Sequence, residues 1–489
     1  MLRVILTIGS IQVVAIAIQF VRTKVVAVML GPEGVGVVST IDQIVQFAAF
    51  ATALSIPMAS VKFLSKAHSE GHDGFKRTYT GFLNLLLLLS VAGTILAVGL
   101  VFLRPQTLGA EVQKYQLYVL IALFSLPTLV LAGFFSNVFA AARNYRASAA
   151  LAVISNAAAT IAIIIGIGAA GLVGLFFGGS LANILLTIGI LIYFSRKMDL
   201  PFFTGDLRVL TELRRTPNIA SFTALLYIGS VSYSLSLLVA RYAILSNFGE
   251  AAAGLLQGAL VLSVAIGMVL NPANGLYLTP IMNRSIEKLE KISHAIEFQR
   301  KMIFILSLVS LPVVMFPQLM LTVLFSTKFA SVGHLVYAFI IGQFVVQLAG
   351  VHQALLIGTE DFKAQTLIVT TGQIGFALLA WFLAPVYGIY GVAIGSVISS
   401  LVIFSATFFR LKLKHGYSVP KNLAGLFAYT LTILILTGWV CSQINEWDIS
   451  IAAAKIIFFA LFVLSLLFFL NSDEWGAIYR IRNRISFGR

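Results

Sequence analysis

The chain has 489 residues, of which 59% are hydrophobic and only 10% are charged, and its formal net charge is +15. Soluble domains carry about 25% charged residues, so the composition excludes a soluble protein and predicts an all-α, multi-pass membrane protein. The excess of Lys and Arg does not indicate nucleic-acid binding, because these residues lie in short loops between apolar segments. The single cysteine, Cys441, excludes an intramolecular disulfide and a cysteine metal cluster.

A membrane-crossing helix needs about 20 mainly apolar residues, and by this criterion the sequence predicts fourteen spans. The first span is interpreted as a retained helix and not as a signal peptide. Arg22 and Lys24 follow its apolar run, where a signal peptide has a small-residue cleavage site. The predicted spans are 4–30, 36–60, 80–103, 116–140, 147–169, 172–194, 217–245, 252–281, 303–325, 334–357, 365–385, 388–409, 423–441 and 450–470.

The loops on the two sides of the membrane differ in their content of Lys and Arg. Of the 33 basic residues, 26 lie on the side of both termini, three lie in the opposite loops and four lie within spans. Cytoplasmic loops carry the excess of Lys and Arg in membrane proteins. The distribution therefore predicts an even number of spans and places both termini in the cytoplasm.

An internal repeat relates residues 143–178 to residues 360–395 without a gap. A G-x-x-G-x-x-x-G pattern starts at Gly171 in the first copy and at Gly388 in the second, each time at a predicted outer turn. The general abundance of glycine in such turns is the alternative explanation. A repeat of this kind predicts two halves of the same membrane orientation.

The basic residues within the spans show a similar correspondence. Arg22 precedes Gly31, and Arg241 precedes Gly249, at nearly equal distances. At 1.5 Å per residue, both arginines lie about 12–14 Å from the predicted outer turn. We predict two six-helix bundles related by a pseudo-twofold axis along the membrane normal. They comprise residues 1–200 and 201–415, and residues 416–489 add two spans and a basic tail.

Charged residues within spans are costly and usually face a cavity. Arg22 and Arg241 each end a polar stripe along one helix face. Parallel halves with a polar interface are typical of secondary transporters, whose substrate site lies near the membrane midplane. The predicted cationic residues of a cavity are Arg22, Lys24 and Arg241. The predicted polar lining residues are Gln12, Gln19, Gln46, Tyr227, Ser230, Ser234, Gln257, Asn271 and Asn274.

Asp42 is the only acidic residue well inside a predicted span, so the buried cations outnumber the buried acids. Arginine binds phosphate through a bidentate fork and stays protonated, so the pattern favours an anion site for a phosphate or diphosphate group. A structural lock between Asp42 and one arginine is the alternative, and Asp42 is also a candidate for ion coupling. Lys24 has a second interpretation, because its long side chain could extend outward to the interface.

The sequence contains no phosphate-binding loop, catalytic triad pattern or metal-ligand cluster, so we predict neither an enzymatic activity nor a cofactor. Four stretches, however, resemble the Wzx-type flippases of lipid-linked oligosaccharides in the multidrug/oligosaccharidyl-lipid/polysaccharide (MOP) exporter superfamily, above all the translocases of O-antigen and enterobacterial common antigen. They are "KVVAVMLGPEGVGVVSTIDQI" (24–44), Arg-Asn-Tyr (143–145), "GLLQGALVLS" to "YLTPIMNRSIEK" (254–288) and "LFSTKFASVGHL" (324–335).

The resemblance implies a flippase in the bacterial inner membrane. It would move an undecaprenyl-diphosphate-linked oligosaccharide from the cytoplasmic to the periplasmic leaflet by alternating access. Because the sequence shows no ATP-binding motif, we expect coupling to an ion gradient. Other polysaccharide-assembly membrane proteins and membrane lipid would be its further partners. Lys24 and Arg241 match basic positions of the family, whereas Asp42 departs from the family pattern.

Two other functions stay open at this point. A multidrug or ion antiporter of the MATE type would bind organic cations, so an excess of cations in the cavity argues against it. A membrane scaffold without transport activity is the second alternative, and buried charges on polar stripes argue against it.

Overall fold

A computed structural model describes residues 2–142, 144–202, 219–273, 278–282, 287–443 and 449–469. These residues form helices joined by turns, with no strand in the described ranges. Helices satisfy their backbone hydrogen bonds internally, as lipid requires, and the predicted all-α membrane fold is confirmed. The α-helices are α1 Leu2–Ala53, α2 Ile56–Glu70, α3 His72–Leu103, α4 Ala110–Gln113, α5 Gln116–Leu123, α6 Leu126–Ala141, α7 Tyr145–Met198, α8 Ile219–Ala273, α9 Thr279–Met282, α10 Lys288–Met315, α11 Pro317–Leu324, α12 Gly333–Gly358, α13 Phe362–Tyr387, α14 Ile389–His415, α15 Lys421–Gln443 and α16 Ile449–Leu466.

The described part of the chain contains eleven helical segments that are long and apolar enough to cross a membrane. Three of them are longer than one crossing requires, with 37, 49 and 45 residues. These three belong to α1, α7 and α8, and each contains a glycine with positive φ, at Gly31, Gly171 and Gly249. Each broken helix thus holds two predicted spans, and the total of fourteen spans stays a prediction.

The backbone conformations of the outer turns repeat along the chain. Gly31 has φ 68° and ψ −174°, and Gly249 has φ 78° and ψ −173°. Gly171 has φ 57° and ψ −132°, and Gly388 has φ 58° and ψ −138°. Glycine adopts positive φ without steric cost. Two matched pairs, each separated by nearly half the chain, favour an internal repeat over a chance abundance of glycine.

The cytoplasmic boundary predicted after the second span differs from the structure. The prediction extends this span to residue 60, whereas α1 ends at Ala53. Leu54 and Ser55 have positive φ values of 49° and 54°. Residues other than glycine adopt such backbone conformations only at an energetic cost. A new helix, α2, starts directly after them with Pro57 in its first turn, where proline needs no backbone donor.

Helix packing divides the chain into two compact units. The first unit comprises residues 1–260, 321–332 and 361–399. One end of it is held by an aromatic cluster of Tyr79 from α3, Phe134, Phe135 and Phe139 from α6, and Phe194 from α7, all buried. Their ring centroids lie 4.9–5.7 Å apart in the contacts between these helices. Each such pair contributes about 0.5–1.5 kcal/mol beyond its buried area.

The second unit comprises residues 261–320, 333–360 and 400–489. Its core contains His352, which is 1% exposed and lies against the rings of Phe404 and Tyr417. The Nδ1 atom of His352 lies 3.3 Å from Thr407 Oγ1, and its Nε2 atom lies 3.4 Å from Gln299 Nε2. Both ring nitrogens thus have partners within a packed core. The units follow packing rather than sequence symmetry, and the division at residues 200 and 415 stays a prediction.

Candidate functional site

A polar cavity of about 390 Å³ lies within the first unit. Both halves of α1 and both halves of α7 contribute to its wall, together with the junction of α5 and α6. Gln257 of α8 and Phe325 complete the lining. The cavity is therefore built mainly from the two broken helices α1 and α7. The glycine turn within each helix reverses its direction, so that both halves of the helix line the cavity.

Arg22 and Asp42 are the two charged residues in the lining of this cavity. Arg22 comes from the first half of α1, and Asp42 from the second half, beyond the break at Gly31. Within the described chain, neither side chain has a hydrogen bond or an ion pair closer than 4.0 Å. Both groups are thus available to a ligand in the cavity.

Arg241 of α8 is 8% exposed and does not line the cavity itself. Its Nε and Nη1 atoms are buried without a hydrogen-bond partner in the described structure. Arg241 and Arg22 both interact electrostatically with Asp42. The structure therefore brings together three of the predicted residues, with two positive charges and one negative charge.

Lys24 lies apart from this group of charges. Its Nζ atom donates a hydrogen bond of 2.7 Å to the backbone oxygen of Thr322. Two residues along a helix correspond to a rotation of about 200°, so Lys24 faces away from the side of α1 that carries Arg22. A role of Lys24 in binding substrate stays a prediction.

The predicted polar stripe of α8 packs against the second half of α1. Tyr227 donates a hydrogen bond of 3.3 Å to the backbone oxygen of Ala51. Ser230 accepts a bond of 3.4 Å from Ser55. The backbone oxygen and the hydroxyl of Ser234 both accept from Gln43, at 3.2 Å. These three residues join α8 to α1 and to the turn that follows α1, and none of them lines the cavity described above.

The other predicted polar residues fall into two groups. Gln46 and Gln257 line the cavity, and Oε1 of Gln257 is buried without a hydrogen-bond partner among the described residues. Gln19 is half-buried and is not part of the lining. Three predicted residues lie outside the described side chains: Gln12, Asn271 and Asn274.

Sequence reasoning missed a group of uncharged polar residues that line the cavity. They share an origin in otherwise apolar helices and are Ser39, Ser125, Ser155, Asn156, Ser180 and Asn183. A weak signal was present, because Phe176, Ser180 and Asn183 follow the i, i+4, i+7 spacing of one helix face. The prediction relied on buried charges and so passed over this face.

The broken helices α1 and α8 cross closely beside their glycine turns, at the end predicted to face outward. A β-carbon at Gly36 would overlap the backbone oxygen of Glu250, and one at Gly254 would overlap the backbone oxygen of Pro32. The two backbones thus touch directly. This contact joins the two predicted halves of the protein within the first unit.

An ion pair lies next to this crossing. Lys114 Nζ is 2.5 Å from Glu250 Oε1, and the hydroxyl of Tyr115 donates to the same carboxylate oxygen. Burial and the bond to Glu250 raise the pKa of Tyr115 to about 12, so its hydroxyl stays a donor at neutral pH. The loop before α5 is thereby tied to the turn at Gly249. We call these contacts, with the glycine crossing, the outer latch.

Solved structures of low sequence identity have the same fold. The outward-facing conformation of a multidrug resistance MATE family transporter of the MOP superfamily has a TM-score of 0.62 and 16% identity, and the match covers 86% of this chain and 96% of that one. The lipid II flippase MurJ in an inward closed conformation has a TM-score of 0.72 and 15% identity, with coverage of 94% and 100%. A MOP superfamily transporter from Pyrococcus furiosus Vc1 (DSM3638), whose binding pocket is described as reversed in polarity, has a TM-score of 0.59 and 16% identity, with coverage of 83% and 95%.

These matches define the class: the chain is a multi-pass membrane protein with the MOP superfamily fold. Residues 1–286 match the family described as polysaccharide biosynthesis protein, and the chain belongs to this family. No curated protein sequence matches it. The similar solved structures are those of transporters and a flippase.

Proposed function

We propose that the protein is a flippase for an undecaprenyl-diphosphate-linked oligosaccharide. It moves this lipid from the cytoplasmic to the periplasmic leaflet of a bacterial inner membrane by alternating access. The observation that carries the proposal is a polar cavity with an unpaired arginine inside the membrane domain of a polysaccharide biosynthesis family member. The fold that the chain has in common with the lipid II flippase MurJ supports the same reading.

The charges around the cavity suit a diphosphate group. Arg22 and Arg241 together exceed Asp42 by one positive charge. A buried guanidinium with unpaired N–H groups is unfavourable until an anion compensates it. Arginine forms bidentate, charge-assisted bonds with phosphate oxygens. A diphosphate entering beside Arg22 therefore receives both electrostatic and directional stabilisation, while the polyprenyl tail stays in the lipid.

An antiporter of organic cations is the second candidate. Asp42 favours it, because this carboxylate is exposed to the cavity and lacks an ion pair within the described chain. The structural likeness to a MATE family transporter is compatible with it as well. The two candidates make opposite demands on the cavity: an anionic lipid uses the arginines, and a cationic drug uses Asp42.

Reconstituted transport distinguishes these candidates. In proteoliposomes with a proton or a sodium gradient, the purified protein is expected to move undecaprenyl-diphosphate-linked oligosaccharide between leaflets, measured by access of an added glycosidase to the sugar. The same vesicles are expected to show no efflux of a cationic dye. Dye efflux that requires Asp42, together with no movement of the glycolipid, would establish the antiporter instead.

Alternating access requires an outer barrier that opens, and we propose the outer latch as this barrier. Lys114→Glu or Glu250→Lys is expected to loosen it, because each places like charges together, and the double exchange is expected to restore it. A partly exposed ion pair contributes about 0.2–1 kcal/mol, so each single variant should raise outer accessibility by roughly 1.4- to 5-fold. The measurement is labelling of Ser39→Cys, in a Cys441→Ser background, by a membrane-impermeant maleimide added outside.

The ion pair between Lys76 and Asp199 supplies the matched control. Its Nζ–Oδ2 distance is 2.8 Å, and it lies at the end predicted to be cytoplasmic. The hydrogen bond and the charge of Lys76 hold the pKa of Asp199 below its ordinary value. Lys76→Glu is expected to leave outer labelling unchanged. Equal labelling in Lys114→Glu and wild type would contradict a role of the ion pair in closure.

A further inference from the structure

One wall of the cavity is polar but carries no charge. Ser125 precedes α6, Ser155 and Asn156 lie on the first half of α7, and Ser180 and Asn183 lie on its second half. Arg22 and Asp42, the two charged lining residues, both come from α1. The cavity thus has a charged side on one broken helix and an uncharged side on the other. We call the five residues Ser125, Ser155, Asn156, Ser180 and Asn183 the neutral wall.

The hydrogen bonds of the neutral wall determine what it can offer to a ligand. Ser125 donates to the backbone of Ala122 at 2.7 Å, and Ser180 donates to the backbone of Ile121 at 3.2 Å. Asn156 donates to Ala152 at 2.8 Å. The two hydroxyl oxygens and the Asn156 carbonyl oxygen remain as acceptors, and one N–H of Asn156 remains as a donor.

Like Ser155, Asn183 differs from the other members of the neutral wall. Within the described chain its side chain makes no hydrogen bond, so its amide offers two donors and a carbonyl acceptor to the cavity. Gln257, on α8, adds a buried carbonyl oxygen without a partner. Buried polar groups are normally paired. A ligand rich in hydroxyl and amide groups would pair these groups, whereas an apolar one would leave them unsatisfied.

We propose that the neutral wall binds an uncharged sugar, one bearing only hydroxyl and acetamido groups, and selects against a sugar with a carboxylate at the same place. The inference rests on the proposed function and names its substrate class. With Arg22 engaged by the diphosphate, a carboxylate against this wall would lose its water and face hydroxyl and carbonyl acceptors, which is unfavourable. The volume of the cavity, about 390 Å³, is near the lower limit for small-molecule sites, roughly 300–1,000 Å³. The neutral wall therefore contacts only the sugar nearest the diphosphate and not a long glycan chain.

The test compares two synthetic lipids that differ only in their first sugar. Both carry undecaprenyl diphosphate; one bears an N-acetylhexosamine and the other a hexuronic acid. Wild-type protein in proteoliposomes is expected to move the neutral lipid at least tenfold faster. Asn183→Leu should slow the neutral lipid roughly 3- to 10-fold, the effect of a lost hydrogen bond, without changing the binding of undecaprenyl diphosphate alone.

Asn183→Lys places a cation on the neutral wall, so it is expected to reverse the preference in favour of the acidic lipid. Asn247→Leu is the matched control, because Asn247 lies at the end of the first half of α8, before the break at Gly249, does not line the cavity and bonds to the backbone of Ala243. It should leave both rates unchanged, and equal melting temperatures of the variants verify folding. If wild type and Asn183→Lys each moved the two lipids at equal rates, the proposed sugar selection by the neutral wall would be wrong, but the proposed function would stand. Movement of neither lipid, with no binding of undecaprenyl diphosphate, would overturn the proposed function.

Discussion

Replacement of Arg241 by methionine is expected to abolish transport while the protein remains at least as stable as wild type. Arg241 is 8% exposed, and two of its nitrogen atoms have no hydrogen-bond partner in the described structure. Methionine removes the desolvation cost of a buried cation that lacks a full set of hydrogen bonds, and Arg22 still compensates the charge of Asp42, so the melting temperature should not fall. A residue kept for binding an anion should therefore show loss of function without loss of stability. Glycolipid movement in proteoliposomes and the melting temperature in detergent measure the two effects.

The conservative variants sharpen this prediction. Arg241→Lys keeps the charge but not the bidentate fork, so transport should fall to an intermediate level. Arg22→Ala should lower transport at least as strongly as Arg241→Ala, because Arg22 lines the cavity. The competing explanation is a structural lock between Asp42 and the arginines. A large drop in melting temperature for Arg241→Met would support that lock, and normal surface polysaccharide in a strain with wild-type levels of Arg241→Met would exclude the anion site.

The charged residues of the site and the turns that position them were predictable from the sequence. A charge within a membrane span needs a polar environment, and glycine is favoured where the backbone turns with positive φ. Arg22 and Arg241 stood out since a charge within a span is costly. Gly31 and Gly249 marked the turns, and their matching φ and ψ values agree with the correspondence found in the sequence. The position of Lys24 also follows from helix geometry, because two residues separate it from Arg22 and turn it to the opposite face.

The uncharged part of the site was not predictable from one sequence. Serine and asparagine in membrane helices can join neighbouring helices by hydrogen bonds or line a cavity. The structure contains both uses. Ser234 accepts hydrogen bonds from Gln43 of α1, whereas Ser180 lines the cavity. Both lie in apolar segments with similar neighbours. Only the arrangement of the helices distinguishes them, and this arrangement depends on contacts between residues far apart in the chain.

Gly254→Ala is expected to disable the protein although it adds a single methyl group. A β-carbon at this position would overlap the backbone oxygen of Pro32, and neither backbone can move without separating α1 from α8. Close-packed interiors tolerate such insertions poorly, at a cost of about 1–3 kcal/mol. If the crossing closes the outer side, the variant should also admit the maleimide to Ser39→Cys from outside. Transport, melting temperature and labelling should therefore change together.

Gly229→Ala gives the matched control on the same helix. A β-carbon at Gly229 would meet no atom within 4 Å, and alanine favours a helix over glycine by about 1 kcal/mol. This variant should transport normally and melt at the same temperature or slightly higher. Two other results would contradict the role of the crossing. Wild-type transport in Gly254→Ala would mean that the helices separate there at no cost. A lower melting temperature without added labelling would make Gly254 a packing residue with no part in outer closure.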